Sequence, residues 1–199
     1  MANNYDMLYN QSRERCVTCP QQPMIDFYGL DHDGENLYFR LLGAEAALSR
    51  TTGELVCAGE RAGFDEACAV YDILSRAADR PALSGRWVSI TDLGGSIAAS
   101  HVGSLTADLR AVEGRLEEVK AMCRAWGGVE QKQGDLSFIL PFTDFFPVWV
   151  QVWEGEEELG IGARYNCLWD ANTLQFMFYE TTWYVRGYLL GRLRGTKRR

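Results

Sequence analysis

Histidine is nearly missing from this chain, with only His32 and His101 among 199 residues. A metal site built on imidazoles is therefore excluded almost by count. No apolar run approaches the ~18 residues that span a bilayer, so no membrane segment is expected. There is no G-x-x-x-x-G-K-[S/T] loop to cradle a nucleotide phosphate and no G-x-S-x-G elbow to present a nucleophilic serine. GIGAR (160–164) leaves a turn and enters a strand, the reverse of the strand-to-helix context that binds a pyrophosphate. A second C-x-x-C to complete a four-cysteine site is also lacking. DHDGE, around His32, echoes a calcium loop, but its glycine comes fourth rather than sixth and Leu42 stands where the twelfth-position glutamate belongs. It reads as a polar turn.

Positive charge is scarce outside the C-terminus. The net charge is −7, yet the last fourteen residues, RGYLLGRLRGTKRR, hold six basic groups and no acid, so the rest of the chain carries −13. An acidic body repels phosphate backbones, which excludes nucleic acid as a partner of the globular part. The opening MANNYDMLYNQSRER lacks a basic start followed by an apolar stretch, so a cytoplasmic location is expected.

With 47% hydrophobic and 24% charged residues, the chain has the composition of a folded domain. Its length suits one domain with a full core. The expected organisation is an N-terminal helix and a Cys-x-x-Cys loop in 1–23, a core in 24–193 and a basic tail in 194–199. Residues 3–15 suit a helix ending before Cys16. From Met24 to Cys57 the text is strand-like (MIDFYGL, ENLYFRLL, AALS, ELVC), with DHDG and TTG as turns. Phe64, Cys68, Tyr71, Leu74 and Ala78 recur at helical spacing. After the short strand SGRWVSI, Leu105, Leu109, Val112, Leu116, Val119, Cys123 and Trp126 mark a longer helix, capped by Ser104 and stopped at Gly127-Gly128. LSFIL, VWVQVW and ARYNCLW are strands, and a closing helix begins near Thr182. The fold class expected is α+β: one domain, a mostly antiparallel sheet, and about three to four helices packed on it.

Two stretches carry candidate chemistry. In CVTCP, Cys16 and Cys19 have the spacing at which two thiolates share zinc, join an iron–sulfur cluster or cycle as a dithiol. Cys57 is a further candidate ligand, while Cys68, Cys123 and Cys167 sit on apolar stripes as core residues. In DFFPVWVQVWEGEEEL, Val148, Val150 and Val152 point one way and Trp149, Gln151 and Trp153 the other. A strand apolar on both faces belongs in the interior. The alternative is a pocket floor of Trp149 and Trp153, anchored by Gln151 and rimmed by Glu156, Glu157 and Asp170. His101, in ASHVGS, is placed to act as a base for Ser100 or Ser104, though no orienting acid is apparent.

Three segments, FDEACAVYDILSRAADRPALSGRWVSITDLGG, LPFTDFFPVWVQVWEGEEELGIGARYNCLWD and FYETTWYVRGYLL, resemble family 3786 of the bacterial and archaeal domains of unknown function. Gly85-Arg86-Trp87-Val88-Ser89 matches its first strand block, Glu156-Glu157-Glu158-Leu159 its acidic turn and Leu168-Trp169-Asp170 its strand end. The likeness extends from about Asp26 to the C-terminal helix. It departs at Val70-Tyr71-Asp72, where the family usually carries a histidine. Some relatives resemble fusions to a cysteine-rich iron–sulfur segment, of which this chain holds at most CVTCP. The resemblance implies an α+β fold and an anaerobe-type cytoplasmic setting with corrinoid metabolism nearby, and brings no assigned activity.

The expectation is a protein that binds a small-molecule ligand, or an accessory protein of metallocofactor or one-carbon metabolism. An iron–sulfur cluster, zinc or a corrinoid are its candidate cofactors. Three other readings stay open: a small enzyme using pocket carboxylates, a metal or cluster protein through Cys16 and Cys19, and a homodimer or partner-protein module burying its aromatic surface.

Overall fold

The computed structural model describes residues 4–94, 112, 114–155 and 164–195, and the architecture is that of these residues. Helix α1 (Asn4–Thr18) runs past its expected end because Thr18 turns its hydroxyl back onto the Glu14 and Arg15 carbonyls, at 2.9 and 3.1 Å. Cys16 therefore lies inside the helix and Cys19 directly after it, so the expected Cys-x-x-Cys loop is a helix end. Helix α2 (Gln21–Tyr28) replaces the strand expected for MIDFYGL. Pro23 falls in its first turn, where a missing N–H breaks no helical bond, and Gly29 closes it at φ 64°.

A meander follows: β1 (Asp31–His32), β2 (Asn36–Leu41), β3 (Ala44–Ser49), β4 (Leu55–Cys57) and β5 (Glu60–Arg61). The β2–β3 hairpin turns on Leu42 and Gly43, at φ 46° and 72°, the left-handed pair of a tight hairpin. Asparagine is the usual residue at the first of these positions. Leu42 is held there by burial and by its amide, which donates to the Phe142 carbonyl at 3.0 Å.

Helix α3 (Phe64–Ser75) begins where Glu66 accepts the Gly63 amide at 2.8 Å. Every residue from Glu66 to Leu74 is buried, so α3 lies inside the protein rather than on it. Next come β6 (Trp87–Ser89), α4 (Ile90–Gly94) and α5 (Leu116–Ala125). The last of these begins only at Leu116, after a turn at Val112 and Gly114, the latter left-handed at φ 71°, so the helix expected to run unbroken from Ser104 to Trp126 is interrupted before Leu116; the rest of that stretch lies outside the described residues. The second half is β7 (Val129–Glu130), β8 (Leu136–Thr143), β9 (Phe146–Trp153), β10 (Arg164–Asp170), α6 (Thr173–Phe176) and α7 (Tyr179–Leu193).

All strands join one antiparallel sheet, ordered β5-β4-β3-β2-β8-β9-β10-β6, with β1 added to β2 and β7 to β8. The α+β class is as expected. The described residues hold seven α-helices rather than three or four. The surplus consists of α2, α4 and α6, of eight, five and four residues, too short to write a 3.6-residue period. No helix among the described residues is long and apolar enough to cross a membrane.

One sheet face forms the core. Phe138, Leu140, Val148, Val150 and Trp169 are fully buried on it, each worth about 1.5–3 kcal/mol of transfer free energy. Phe142 meets Tyr188 of α7 and Phe146 meets Phe176 of α6, at ring distances of 6.1 and 5.2 Å. Behind them α3 is locked in by Asp72, 3% exposed, which pairs with Arg15 of α1 and accepts from the Thr181 hydroxyl and the Phe178 amide of the α7 start. Asp72 thus ties α1, α3 and α7 together through one buried carboxylate.

The sheet has a seam. One edge of β2 is shared by two strands: β1 pairs with Leu37 and Tyr38, and β8 joins only at Leu41, opposite Thr143. Between them the Arg40 amide has no strand partner and donates instead to the Asp144 carboxylate at 2.7 Å. Asp144 and Phe145 form the β8–β9 turn, so that turn plugs the gap with side chains where a strand would otherwise pair.

Candidate functional site

On the second sheet face the structure arranges the residues of β9 as their alternation implies. Trp149 and Trp153 are half-buried and Gln151 is 3% exposed. The polar atoms of Trp149 and Gln151 are already bonded within the protein. The Trp149 indole N–H donates to Ser137 Oγ at 2.9 Å. The Gln151 amide donates to Gln133 at 2.6 Å and accepts from Asn166 at 3.2 Å, a ladder of amides from the β7–β8 connection across β9 to β10. Trp87 of β6 packs edge-on against Trp149, with centroids 5.7 Å apart, and Arg164 lies over Trp153 at 5.8 Å.

Asp170 ends this row opposite Trp87. Its carboxylate is also committed, accepting the amides of Ser84 (2.9 Å), Gly85 (2.7 Å) and Asn172 (2.8 Å) and the Ser84 hydroxyl (3.0 Å). Gly85 is at φ 71°, the left-handed conformation that aims its amide into this nest. The Gly85–Ser89 and Leu168–Asp170 blocks thus meet in a structural lock. Glu156, Glu157 and the rest of the acidic turn, and His101 with Ser100 and Ser104, lie outside the described residues.

Cys16 is 2% exposed, and burial pushes its thiol up to about 12. Cys19 Sγ donates to the Ser75 carbonyl at 3.8 Å. Cys57, Cys68, Cys123 and Cys167 are buried. A buried thiol held protonated is the opposite of the thiolate that metal binding requires. No group of three or more His, Cys, Asp or Glu among the described residues is placed to hold a metal ion, so the structure brings Cys16 and Cys19 no further ligand from among them.

A concave feature with uncommitted polar groups lies at the seam. A cleft of about 460 Å³ opens beside β2, walled by the α2 end, β1, β3 and the β8–β9 turn. Its aromatic side is a row of rings: Tyr28 stacks on Phe145 at 4.2 Å, and Phe145 leans on Phe39 at 6.0 Å. Tyr28 donates its hydroxyl to the Ile73 carbonyl at 3.0 Å, and burial pushes its pKa up. At the rim stand Asp31, Arg40, Glu45 and Asp144. Arg40 and Glu45 are directly opposed on β2 and β3 yet form no ion pair, and the Asp31 side chain takes no hydrogen bond.

Sequence reasoning missed these residues because no local pattern carries them. Arg40 and Asp144 are 104 positions apart, and reading Met24–Leu30 as a strand hid the turn that brings Tyr28 to the cleft. An acid at the tip of the hairpin PFTDFFP was the one available signal, since a turn carboxylate is suited to cap a neighbouring amide.

No curated protein and no solved structure matches the chain. A family match extends over residues 22–192, from α2 through the cleft and the Asp170 lock to the end of α7. By that match the chain belongs to the family described as Domain of unknown function (DUF3786).

Proposed function

We propose that this protein is a small-molecule-binding protein whose ligand occupies the cleft beside β2. The observation that carries the reading is the gap in pairing along β2: a cavity of about 460 Å³, within the usual ~300–1,000 Å³ of ligand sites, with aromatic rings and the uncommitted Asp31, Arg40 and Glu45 side chains in its lining. The tryptophan face, read from the sequence as a core strand with a pocket floor as the alternative, supports ligand binding less well, because the Trp149 indole and the Gln151 amide are bonded to neighbouring segments.

The test is a fragment screen on isotope-labelled protein, following amide shifts. Expected are shifts centred on Phe39, Arg40, Asp144 and Phe145 that vanish in Phe145→Ala. Shifts gathering on Trp149 and Trp153, or no specific shifts at all, would overturn the assignment.

A further inference from the structure

We infer that the surface at the C-terminal end of α3 docks an acidic peptide segment of a partner protein, its carboxylates received by Arg76 and Arg80 beside the exposed Phe178 ring. This docking surface stands whether or not the cleft binds a ligand.

The pieces are fixed by local structure. Phe178 precedes α7 in extended backbone, at φ −71° and ψ 157°, with its amide on the Asp72 carboxylate at 3.3 Å. Its ring is 47% exposed. Two guanidiniums lie over that ring, Arg15 of α1 at 5.1 Å and Arg76, the residue that ends α3, at 4.4 Å. Arg80 closes the following turn (Ala77–Asp79) in the left-handed conformation, at φ 51°, and lies over Phe27 of α2 at 5.7 Å. Tyr28 links the two, with its ring 4.8 Å from that of Phe27 and the Arg76 charge acting on its hydroxyl. A chain of neighbours thus runs from Phe178 through Arg76, Tyr28 and Phe27 to Arg80.

Their bonding sets what this surface can take. Arg15 is paired with Asp72. Among the described residues the Arg76 and Arg80 guanidiniums take no hydrogen bond or ion pair, and Asp79 and Glu180, exposed acids close by in sequence, pair with neither. A guanidinium held over a ring keeps its N–H donors for an acceptor, and their fork matches a carboxylate. Arg76 is half-buried, so it has lost part of its water without gaining an acceptor, and an incoming carboxylate restores those bonds. Arginine and aromatic side chains are also the residues enriched where proteins meet. The chain's net charge of −7 opposes a long polyanion, which favours a short acidic segment as the occupant.

The experiment titrates the whole isotope-labelled chain with the capped peptide Glu-Glu-Leu-Glu-Glu, its neutral counterpart Gln-Gln-Leu-Gln-Gln, and inorganic phosphate, following the Arg76, Arg80 and Phe178 amides. The acidic peptide is expected to bind about tenfold more tightly than the neutral one. Arg76→Gln should weaken it about tenfold, and Arg76→Lys, which keeps the charge without the fork, about threefold. The Arg76 guanidinium bonds to no described protein group, so both variants keep the fold. Equal binding of the two peptides, an unchanged affinity in Arg76→Gln, shifts gathered on the basic C-terminal residues, or no shift with any probe would each overturn the docking surface. Phosphate binding as tightly as the acidic peptide would overturn the peptide as occupant and leave a free anion in its place.

Discussion

The tryptophan face of β9 and the cleft beside β2 are both aromatic and both partly open, but they differ in what their polar atoms are doing. On the tryptophan face the Trp149 indole, both ends of the Gln151 amide and the Asp170 carboxylate are bonded to neighbouring strands and turns. In the cleft, Asp31, Glu45 and the Arg40 guanidinium are left to solvent. Aromatic content alone therefore does not mark a site. A buried polar group must be bonded to remain buried, so a fully bonded aromatic face behaves as core, and a face with uncommitted charge has something to offer a ligand.

Substitutions can break this contrast. The largest effect is expected at Asp170→Ala, which strands three amides and a hydroxyl in a 2%-exposed nest. A loss of about 3–5 kcal/mol is expected in urea unfolding, with binding in the cleft unchanged. A loss under about 1 kcal/mol would mean the lock is ornamental.

Gln151→Leu comes next, at about 1–2 kcal/mol, because Asn166 keeps an amide with no partner in the ladder. A neutral result would return the tryptophan face to the list of surfaces able to accept a ligand.

Asp65 sharpens the comparison from outside both regions. It is a half-buried carboxylate without the donors that surround Asp170, and desolvation, with Glu66 adding to it, pushes it up to about 6. A folded-state pKa above the unfolded value means that the native state holds the proton more tightly. The associated stability is present below about pH 4 and lost as pH rises through about 6. Asp65→Asn should therefore stabilise the protein by about 1 kcal/mol near pH 7, after discounting for its partial exposure, and by nothing near pH 3.5. Thermal melts at the two pH values decide it; an equal gain at both would show that charge is not the cause.

The smallest effect is expected in the cleft: an Asp31→Asn/Glu45→Gln variant should melt within about 0.5 kcal/mol of the parent, since both carboxylates are exposed and bond to no protein group.

Much of the fold was legible where one face of an element repeats over enough residues. ENLYFRLL, LSFIL and VWVQVW wrote their strands plainly, and the Phe64-Cys68-Tyr71 stripe wrote α3. What misled was local and short. Met24 to Leu30 is apolar enough for a strand, and only Pro23 in a first turn and the Gly29 cap turn it into a helix. Of the candidate site, the alternation of Trp149, Gln151 and Trp153 was readable, but whether their polar atoms were already taken was not. Ser137, Gln133 and Asn166 are 12, 18 and 15 residues away from their partners, and such pairings are set by register, which sequence spacing does not encode.

The seam has a kinetic consequence. A sheet joined across its middle by Leu41–Thr143 and by the Leu42 amide on Phe142 has many rungs on either side and few at the join. The meander of β1 to β5 can then open and close as a cooperative unit apart from β8 to β10. In native-state hydrogen exchange the amides of β9 should report global unfolding, those of β3 a cheaper opening, and the Leu42 amide the bridge between them. A ligand held in the cleft touches both units at once, so its binding would slow the cheaper opening and draw the two protection levels together.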